Sequence, residues 1–456
     1  MTQRTKNSIP FTSTPQRKIV AEFTAGDITS DAGLLLLREA DRQLGLLDAI
    51  NNAIPDPRHP MFIVHPQRTL LAQRIFGIAC GYEDLNDHQQ LRDDPLWQTA
   101  TDHPGPDDVP SLASPPTLCR LENRIERASL VRLSEVLVEQ FISSYQKQPE
   151  ELILDFDGTD DPIHGDQEHG YFHGYYDSYC FLPLYVYSGS QLLVAYLRPA
   201  NIAGNHHAAA ILKLLVTRLR QAWPNVRITI RGDSAFCRWR LMRWCESNDI
   251  RYIFGLGSNS VLERAAAEWM GQAQTAHDLD GQTHRTFGTF SYAAQTWDRS
   301  RRVIVKAEHL CGPGGADGGR ANPRYIVTNQ AGEPRALYED VYCQRGDIEN
   351  RIKEQQLGLF ADRTSCHGFM ANQFRVLLAA FAYVLLDFIR RTALVDTELS
   401  TAQVSTIRLR LLRVAALVVK SVRRVVVKLS QNFAGRDLYI HVANRLRQRG
   451  PIFNSS

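Results

Sequence analysis

The period of the apolar positions changes twice along this chain, and those changes divide it. From Asp31 to Ala53 the spacing is helical, with Leu34, Leu37, Ala40, Leu44 and Leu47 on one stripe. Pro55, Pro57, Pro60 and Pro66 interrupt that pattern. A second helical stretch follows over about 67–80. A third spans 117–145 on Leu118, Leu121, Ile125, Leu130, Leu133 and Leu137. Five prolines within 101–116 predict a loop before it. Residues 1–20 are polar and predict a flexible lead-in, so 1–149 reads as all-helical. The texture then switches to short apolar runs at 152–157, 180–187 and 191–197, a helix at 208–222, a strand at 226–231, a helix at 239–247 and a strand at 251–255. Three consecutive strands followed by helix, strand, helix, strand predict a mixed α/β layer. Over 258–335 β-type runs (286–291, 302–307, 325–328) replace the alternation. The Gly-rich stretch 312–320 opens no helix and reads as a turn. Helical spacing resumes from 337 past 357 and again over 374–391.

Composition narrows the class. In 456 residues, 44% hydrophobic and 22% charged, a large core is available and global disorder is excluded. The longest uncharged apolar run, Val376 to Leu386, is far shorter than the roughly twenty residues a spanning helix needs, so no membrane is expected. Met1 is followed by polar and basic residues, and the eight cysteines contain no C-x-x-C pair. Both point to a cytoplasmic protein with reduced thiols and no zinc module. The net charge of +3 hides an asymmetry: residues 401–456 carry eleven Lys and Arg against one acid, Asp437, and the rest carries 41 bases against 48 acids. Within the tail, Arg408, Arg410, Arg413, Lys420, Arg423, Arg424 and Lys428 fall in an acid-free stretch interleaved with Val, Leu and Ile. Such density fits phosphate neutralisation on a polyanion.

The candidate chemistry lies in carboxylates. Asp155 and Asp157, in Leu-Asp-Phe-Asp-Gly-Thr, end the first strand and by the two-residue period share one face. Asp233, in Ile-Thr-Ile-Arg-Gly-Asp-Ser, follows the fourth strand. Tyr342, Arg345 and Glu349 stand three and four apart and share a helix face. Carboxylates from separate rigid elements are what two divalent ions about 3.5–4 Å apart require, and hard oxygen donors suit Mg²⁺ or Mn²⁺. The other features read as ordinary. His164, His169, His173, His206 and His207 read as solvated, Cys237 and Cys245 as buried thiols, and Trp239 and Trp244 as packing residues.

These residues resemble the DDE transposases of bacterial insertion sequences, in the group whose RNase H-like domain is split by a β-rich insertion, closest to the insertion-sequence 1380 branch. The carriers are Asp157-Gly158-Thr159, Arg231-Gly232-Asp233-Ser234 and Tyr342-x-x-Arg345-x-x-x-Glu349, joined in the front by Gly81-Tyr82-Glu83-Asp84-Leu85-Asn86-Asp87 and Leu118-Cys119-Arg120-Leu121-Glu122-Asn123. The resemblance implies an α-helical DNA-binding region (1–149), an RNase H-like α/β domain in two parts (150–257 and 336–392) around a β-rich insertion (258–335), and a basic C-terminal region (393–456). It implies that Asp157, Asp233 and Glu349 hold two Mg²⁺ or Mn²⁺ ions for DNA cleavage and strand transfer, with Asp155 as a possible support. Tyr342 and Arg345 would hold phosphates of the transposon end. The implied partners are double-stranded DNA, both inverted repeats and target, and a second copy in a homodimer on paired ends, in the bacterial cytoplasm at the nucleoid. One departure stands out: the family's lysine seven residues after the Glu is Gln356 here, with Lys353 one turn after Glu349 instead.

Two other readings compete. Asp155-Phe156-Asp157-Gly158-Thr159 also matches the D-x-D-G-T of haloacid-dehalogenase-like phosphatases, with Asp155 as nucleophile and Asp157 as acid/base. Those enzymes want a second Asp four residues after a later Gly-Asp, where this chain has Cys237. A catalytically inactive DNA-binding protein is the other, and nothing in the sequence damages the triad.

Overall fold

Alternating apolar residues make Glu151–Gly158 (β1) a central strand of a nine-stranded mixed sheet. The computed structural model describes residues 8–103, 111–203, 205–312 and 319–448. Leu184–Ser188 (β2) runs antiparallel beside β1, with Tyr187 opposite Asp155 and Tyr185 opposite Asp157. Gln191–Tyr196 (β3) pairs antiparallel with β2. On the other side, Arg227–Gly232 (β4) lies parallel to β1 with Arg231 opposite Asp155, and Arg251–Leu256 (β5) lies parallel to β4. His284–Tyr292 (β6), Arg301–Leu310 (β7) and Arg324–Thr328 (β8) extend the order to β3-β2-β1-β4-β5-β8-β7-β6, all antiparallel beyond β5, and the two-residue strand Arg320–Ala321 pairs with β7 off this path.

Helices supply the apolar cover. Arg127–Ser143 (α1) packs on β3, and Ala208–Ala222 (α2) and Trp239–Ser247 (α3) make the crossovers between parallel strands. Leu152, Leu154 and Phe156 of β1 join Leu212, Leu219, Leu241 and Met242 in one core, with Ile228, Ile230 and Phe254. Full burial of such a side chain contributes about 1.5–3 kcal/mol. The same alternation turns Asp155 and Asp157 to the opposite face.

The chain forms two compact units. The sheet belongs to the unit of Glu126–Leu357 and Ala361–Ala380; the other comprises Met1–Ile125, Gly358–Phe360 and Phe381–Ser456. In the sheet unit, one helical run starts at Pro334. It passes through a π-segment (Leu337–Tyr342) and a 3₁₀ turn (Cys343–Arg345) before the α-helix Gly346–Lys353, which precedes another π-segment (Glu354–Gly358). The stretch 258–335 contains Ser260–Ala265 and Ala267–Asp280 (α4) as well as strands, and those strands continue the central sheet through β5 instead of forming a sheet of their own. The run 180–187 is two strands, Ser178–Phe181 and β2, because Pro183 between them cannot donate to a ladder.

In the other unit, helices Leu34–Leu44, Leu46–Ala53, Gln67–Cys80 and Pro115–Asn123 bury Leu34, Leu37, Leu47, Leu71, Ile75 and Leu121. A fully buried ion pair, Arg74 Nε to Glu122 Oε1 at 2.8 Å, ties two of them. The all-helical expectation fails at the front: Ser8–Phe11 and Ile19–Glu22 form an antiparallel ribbon. Ile28–Thr29 pairs with Ala416–Ser421 (β9), which forms a hairpin with Arg424–Leu429 (β10). Part of the proline loop (104–110) and most of the Gly-rich stretch (313–318) lie outside the described residues. The helix Phe369–Ala393 is long and apolar enough to cross a membrane by length and composition, yet 83% of its apolar window is buried in protein.

Candidate active site

The first two triad candidates meet because parallel strands finish at the same edge. Asp157 is the penultimate residue of β1, and Asp233 directly follows β4, whose Gly232 sits opposite Phe156. Asp233 caps the 3₁₀ turn Ser234–Phe236, its Oδ1 accepting from the Ala235 amide at 2.9 Å. That turn needs room. A Cβ on Gly255 of the neighbouring β5 would lie 2.7 Å from the Tyr342 hydroxyl and 3.1 Å from the Ser234 nitrogen, so glycine is what lets turn, strand and tyrosine converge.

Glu349 reaches the same place from the helical run, through Arg345. Arg345 Nη1 donates to Asp157 Oδ2 at 3.0 Å, and Nη2 donates to Glu349 Oε1 at 3.4 Å. Asp157 is buried, whereas the Glu349 side chain is 57% exposed, so the arginine spans from the strand end to the rim. Burial pushes the Asp157 carboxyl up to about 6; Arg345 opposes this, and the Asp233 and Glu349 charges add to it. Burial also works against the Arg345 guanidinium, but the surrounding acids outweigh it and hold Arg345 above its ordinary value. Tyr342 is half-buried beside Arg345 and Asp233, and burial first of all raises its phenol. Lys353 is exposed on the same helix as Glu349.

Asp155 is no part of this group. Arg231 Nε donates to Asp155 Oδ1 and Nη2 to Oδ2, both at 2.6 Å, while Nη1 donates to the Val341 carbonyl. Burial raises the Asp155 carboxyl and the Arg231 fork pulls against it. With both oxygens engaged and both side chains buried, Asp155 is the anion of a buried ion pair and not a free nucleophile. The phosphatase reading, which needs an unencumbered Asp155, loses its nucleophile here. Sequence reasoning missed Arg231 as the partner. The signal was a charged residue inside the otherwise uncharged strand Ile-Thr-Ile-Arg-Gly, which implies a buried counter-ion. Gln356, where a lysine was expected, donates from Nε2 to the Asp160 carbonyl at 2.6 Å and accepts from the Thr159 hydroxyl at 3.4 Å. It fastens the loop after β1 to the helical run.

The all-carboxylate donor set of Asp157, Asp233 and Glu349 fits a hard divalent ion by its chemistry. Among the described residues no three His, Cys, Asp or Glu side chains stand close enough together to hold an ion. Cys237 and Cys245 are thiols pushed up to about 12 by burial. Trp239 and Trp244 pack partly buried against the core.

The basic tail divides. Arg408 donates from Nε to the Ala79 carbonyl at 2.9 Å, bonds the Ile78 and Gly358 carbonyls and lies over the Phe360 ring; burial lowers its guanidinium. Arg413 donates to the Tyr82 hydroxyl at 2.7 Å and to Asp31 Oδ1 at 3.2 Å. Both are bonded within the protein, Arg408 to backbone carbonyls and Arg413 to Tyr82 and Asp31. Tyr82 and Glu122, from the family-like front segments, are likewise engaged inside their own unit. Arg410 pairs with Glu398 at 3.2 Å on the surface, and Lys420 donates to Gln98. Arg423, Arg424 and Lys428 are exposed on the β9–β10 hairpin.

Residues 11–451 match the family model described as transposase DDE domain group 1. No curated protein matches the chain. Among solved structures it is similar to the piggyBac transposase synaptic complex with hairpin DNA, determined by cryo-electron microscopy, at 9% identity and a TM-score of 0.39 over 92% of this chain and 82% of that one.

Proposed function

Because this chain belongs to the transposase DDE domain group 1 family, we propose that it cuts and joins the ends of an insertion sequence of the 1380 branch, with Asp157, Asp233 and Glu349 as its catalytic triad. Family members generally use divalent metal ions. Here the three carboxylates would hold Mg²⁺ or Mn²⁺, two ions by analogy, which lower the pKa of an attacking water and stabilise charge at phosphorus. The observation that carries this reading is the convergence of Asp157 and Asp233 at adjacent parallel strand ends, with Glu349 joined to them by Arg345. The strand order of the first five strands, three antiparallel and then two parallel to the first, supports an RNase H-like core.

The chain's own residues do the positioning. Arg345 offers a planar pair of N–H donors that matches two phosphate oxygens, and Tyr342 stands beside it. Arg231 and Asp155 lock β4 to β1 beneath the triad. In the first step water attacks a phosphodiester at the element's end, the bond from phosphorus to the 3′-oxygen breaks, and the departing oxygen takes a proton to become a 3′-hydroxyl. In the second step that hydroxyl attacks a target phosphodiester, one ester bond replacing another. Lys353, Arg410, Lys420, Arg423, Arg424 and Lys428 supply exposed charge for the DNA backbone, and a dimer at the bacterial nucleoid would hold the two ends.

A plasmid carrying this reading frame with its bordering DNA, incubated with the purified protein and Mg²⁺, is expected to release a fragment whose 3′ ends are hydroxyls. A plasmid left intact under conditions where the protein binds it would contradict the proposal.

A further inference from the structure

Arg345 and a divalent ion make the same demand on the same atoms. Its two terminal nitrogens lie 3.0 Å from Asp157 Oδ2 and 3.4 Å from Glu349 Oε1, the carboxylates that the proposed function gives to the metal. A cation seated on those oxygens would face the guanidinium across a few ångströms and compete for the lone pairs that it occupies. Both cannot be held at full strength.

The local structure leaves Arg345 room to change partners. It ends the 3₁₀ turn Cys343–Arg345, between the π-segment that carries Tyr342 and the α-helix that carries Glu349. A change of helical pitch at such a point often marks a functional position. The contact to Glu349 is long and lies at the exposed rim, so that arm gives way first. Phosphate accepts the guanidinium fork as well as carboxylate does. The buried, two-armed pairing of Arg231 with Asp155 shows what a permanent arginine–carboxylate contact looks like in this fold, and Arg345 is not built that way.

We propose that Arg345 is a positioning residue that trades partners, balancing Asp157 and Glu349 until a DNA phosphate draws its guanidinium away, and thereby couples divalent-ion uptake to DNA binding. The coupling is reciprocal: DNA raises the affinity for the ion by the factor by which the ion raises the affinity for DNA. The inference rests on the triad as the metal site.

The test is Mn²⁺ binding to the full chain, followed by electron paramagnetic resonance, for the wild type, Arg345→Ala, Arg345→Lys and Asp157→Asn, each with and without a duplex copied from the DNA bordering the reading frame. Wild-type affinity should rise roughly tenfold when the duplex is added, within the usual span of such couplings. Arg345→Ala should bind Mn²⁺ more tightly than wild type without DNA and gain little from the duplex. Arg345→Lys, which keeps the charge without the fork, should fall between and serves if the alanine variant folds poorly. If Arg345→Ala shows the wild-type gain, or binds no more tightly without DNA, the partner exchange is wrong while the metal site stands. If Asp157→Asn binds Mn²⁺ as wild type does, the metal site itself is wrong and the exchange falls with it.

Discussion

Asp155 and Asp157 are two residues apart on one face of one strand, and the structure separates their fates by what stands opposite. Asp155 is level with Arg231 in the parallel register and is gripped through both oxygens. Asp157, at the strand end, is met by Arg345, by the Gly158 amide at 3.0 Å and by the charges of other acids. Removing one partner from a buried ion pair leaves the other charge stranded, at a cost of about 3–5 kcal/mol, whereas replacing both by apolar residues of similar size is often neutral. Asp155→Asn should therefore lower the denaturation midpoint sharply, and Asp155→Leu combined with Arg231→Met should restore most of it. Urea unfolding of the three proteins checks this. A trapped phospho-aspartyl adduct on Asp155 would instead revive the phosphatase reading. The face that these two acids share was legible from the alternation alone. Which of them is free was not, because it depends on a strand about seventy residues later in the chain.

At the scale of elements, the junction between helices Leu34–Leu44 and Leu46–Ala53 makes a pH-dependent prediction. Gly45 turns the chain in the left-handed region at φ 57°, and Asp41 Oδ1 accepts from the Leu47 amide at 2.8 Å while Oδ2 meets Arg68 at 3.1 Å. Burial nevertheless pushes Asp41 up to about 6 from 3.8. For a carboxyl raised on folding, the stability contribution is fully present below its unfolded value and is lost as pH rises through the folded one. Relative to Asp41→Asn, the wild type should thus lose up to about 3 kcal/mol between pH 4 and pH 8. Denaturant titrations at a series of pH values measure this, and a wild type that gains stability relative to Asp41→Asn as pH rises would contradict it.

The β9–β10 hairpin gives a second prediction at this scale. Arg423 and Arg424 lie at its exposed turn, away from the arginines that packing has claimed. Each phosphate contact adds roughly −0.9 to the slope of log affinity against log salt. Replacing both with Gln should flatten that slope by about one to two units on specific and random duplexes alike. An unchanged slope would assign the hairpin another task. The basic, β-branched composition of this segment announced a folded element. It could not announce that Arg408 and Arg413, in the same run, are bonded to backbone carbonyls and to Asp31.

For the whole molecule, local pattern carried most of the sheet unit. The helices Ala208–Ala222 and Trp239–Ser247 stand where their spacing put them, and the first five strands follow the order that their texture suggested. What local pattern could not carry was pairing across distance. The strands within 258–335 join the central sheet through β5, and β9 from the tail pairs with Ile28–Thr29 near the front. Neither partnership leaves a mark in local periodicity. The Tyr342, Arg345 and Glu349 spacing did mark its helix face, although the backbone there departs from a regular α-helix.

The central claim, that Asp157, Asp233 and Glu349 form one metal-dependent active site, is tested most directly by separating cleavage from binding. Asp157→Asn, Asp233→Asn and Glu349→Gln should each bind a duplex copied from the element's end about as tightly as wild type, since affinity comes mainly from basic contacts elsewhere. Each should fail to cut it in Mg²⁺ in a gel assay of both properties. Full cleavage by any one of the three would remove that residue from the site and contradict the account.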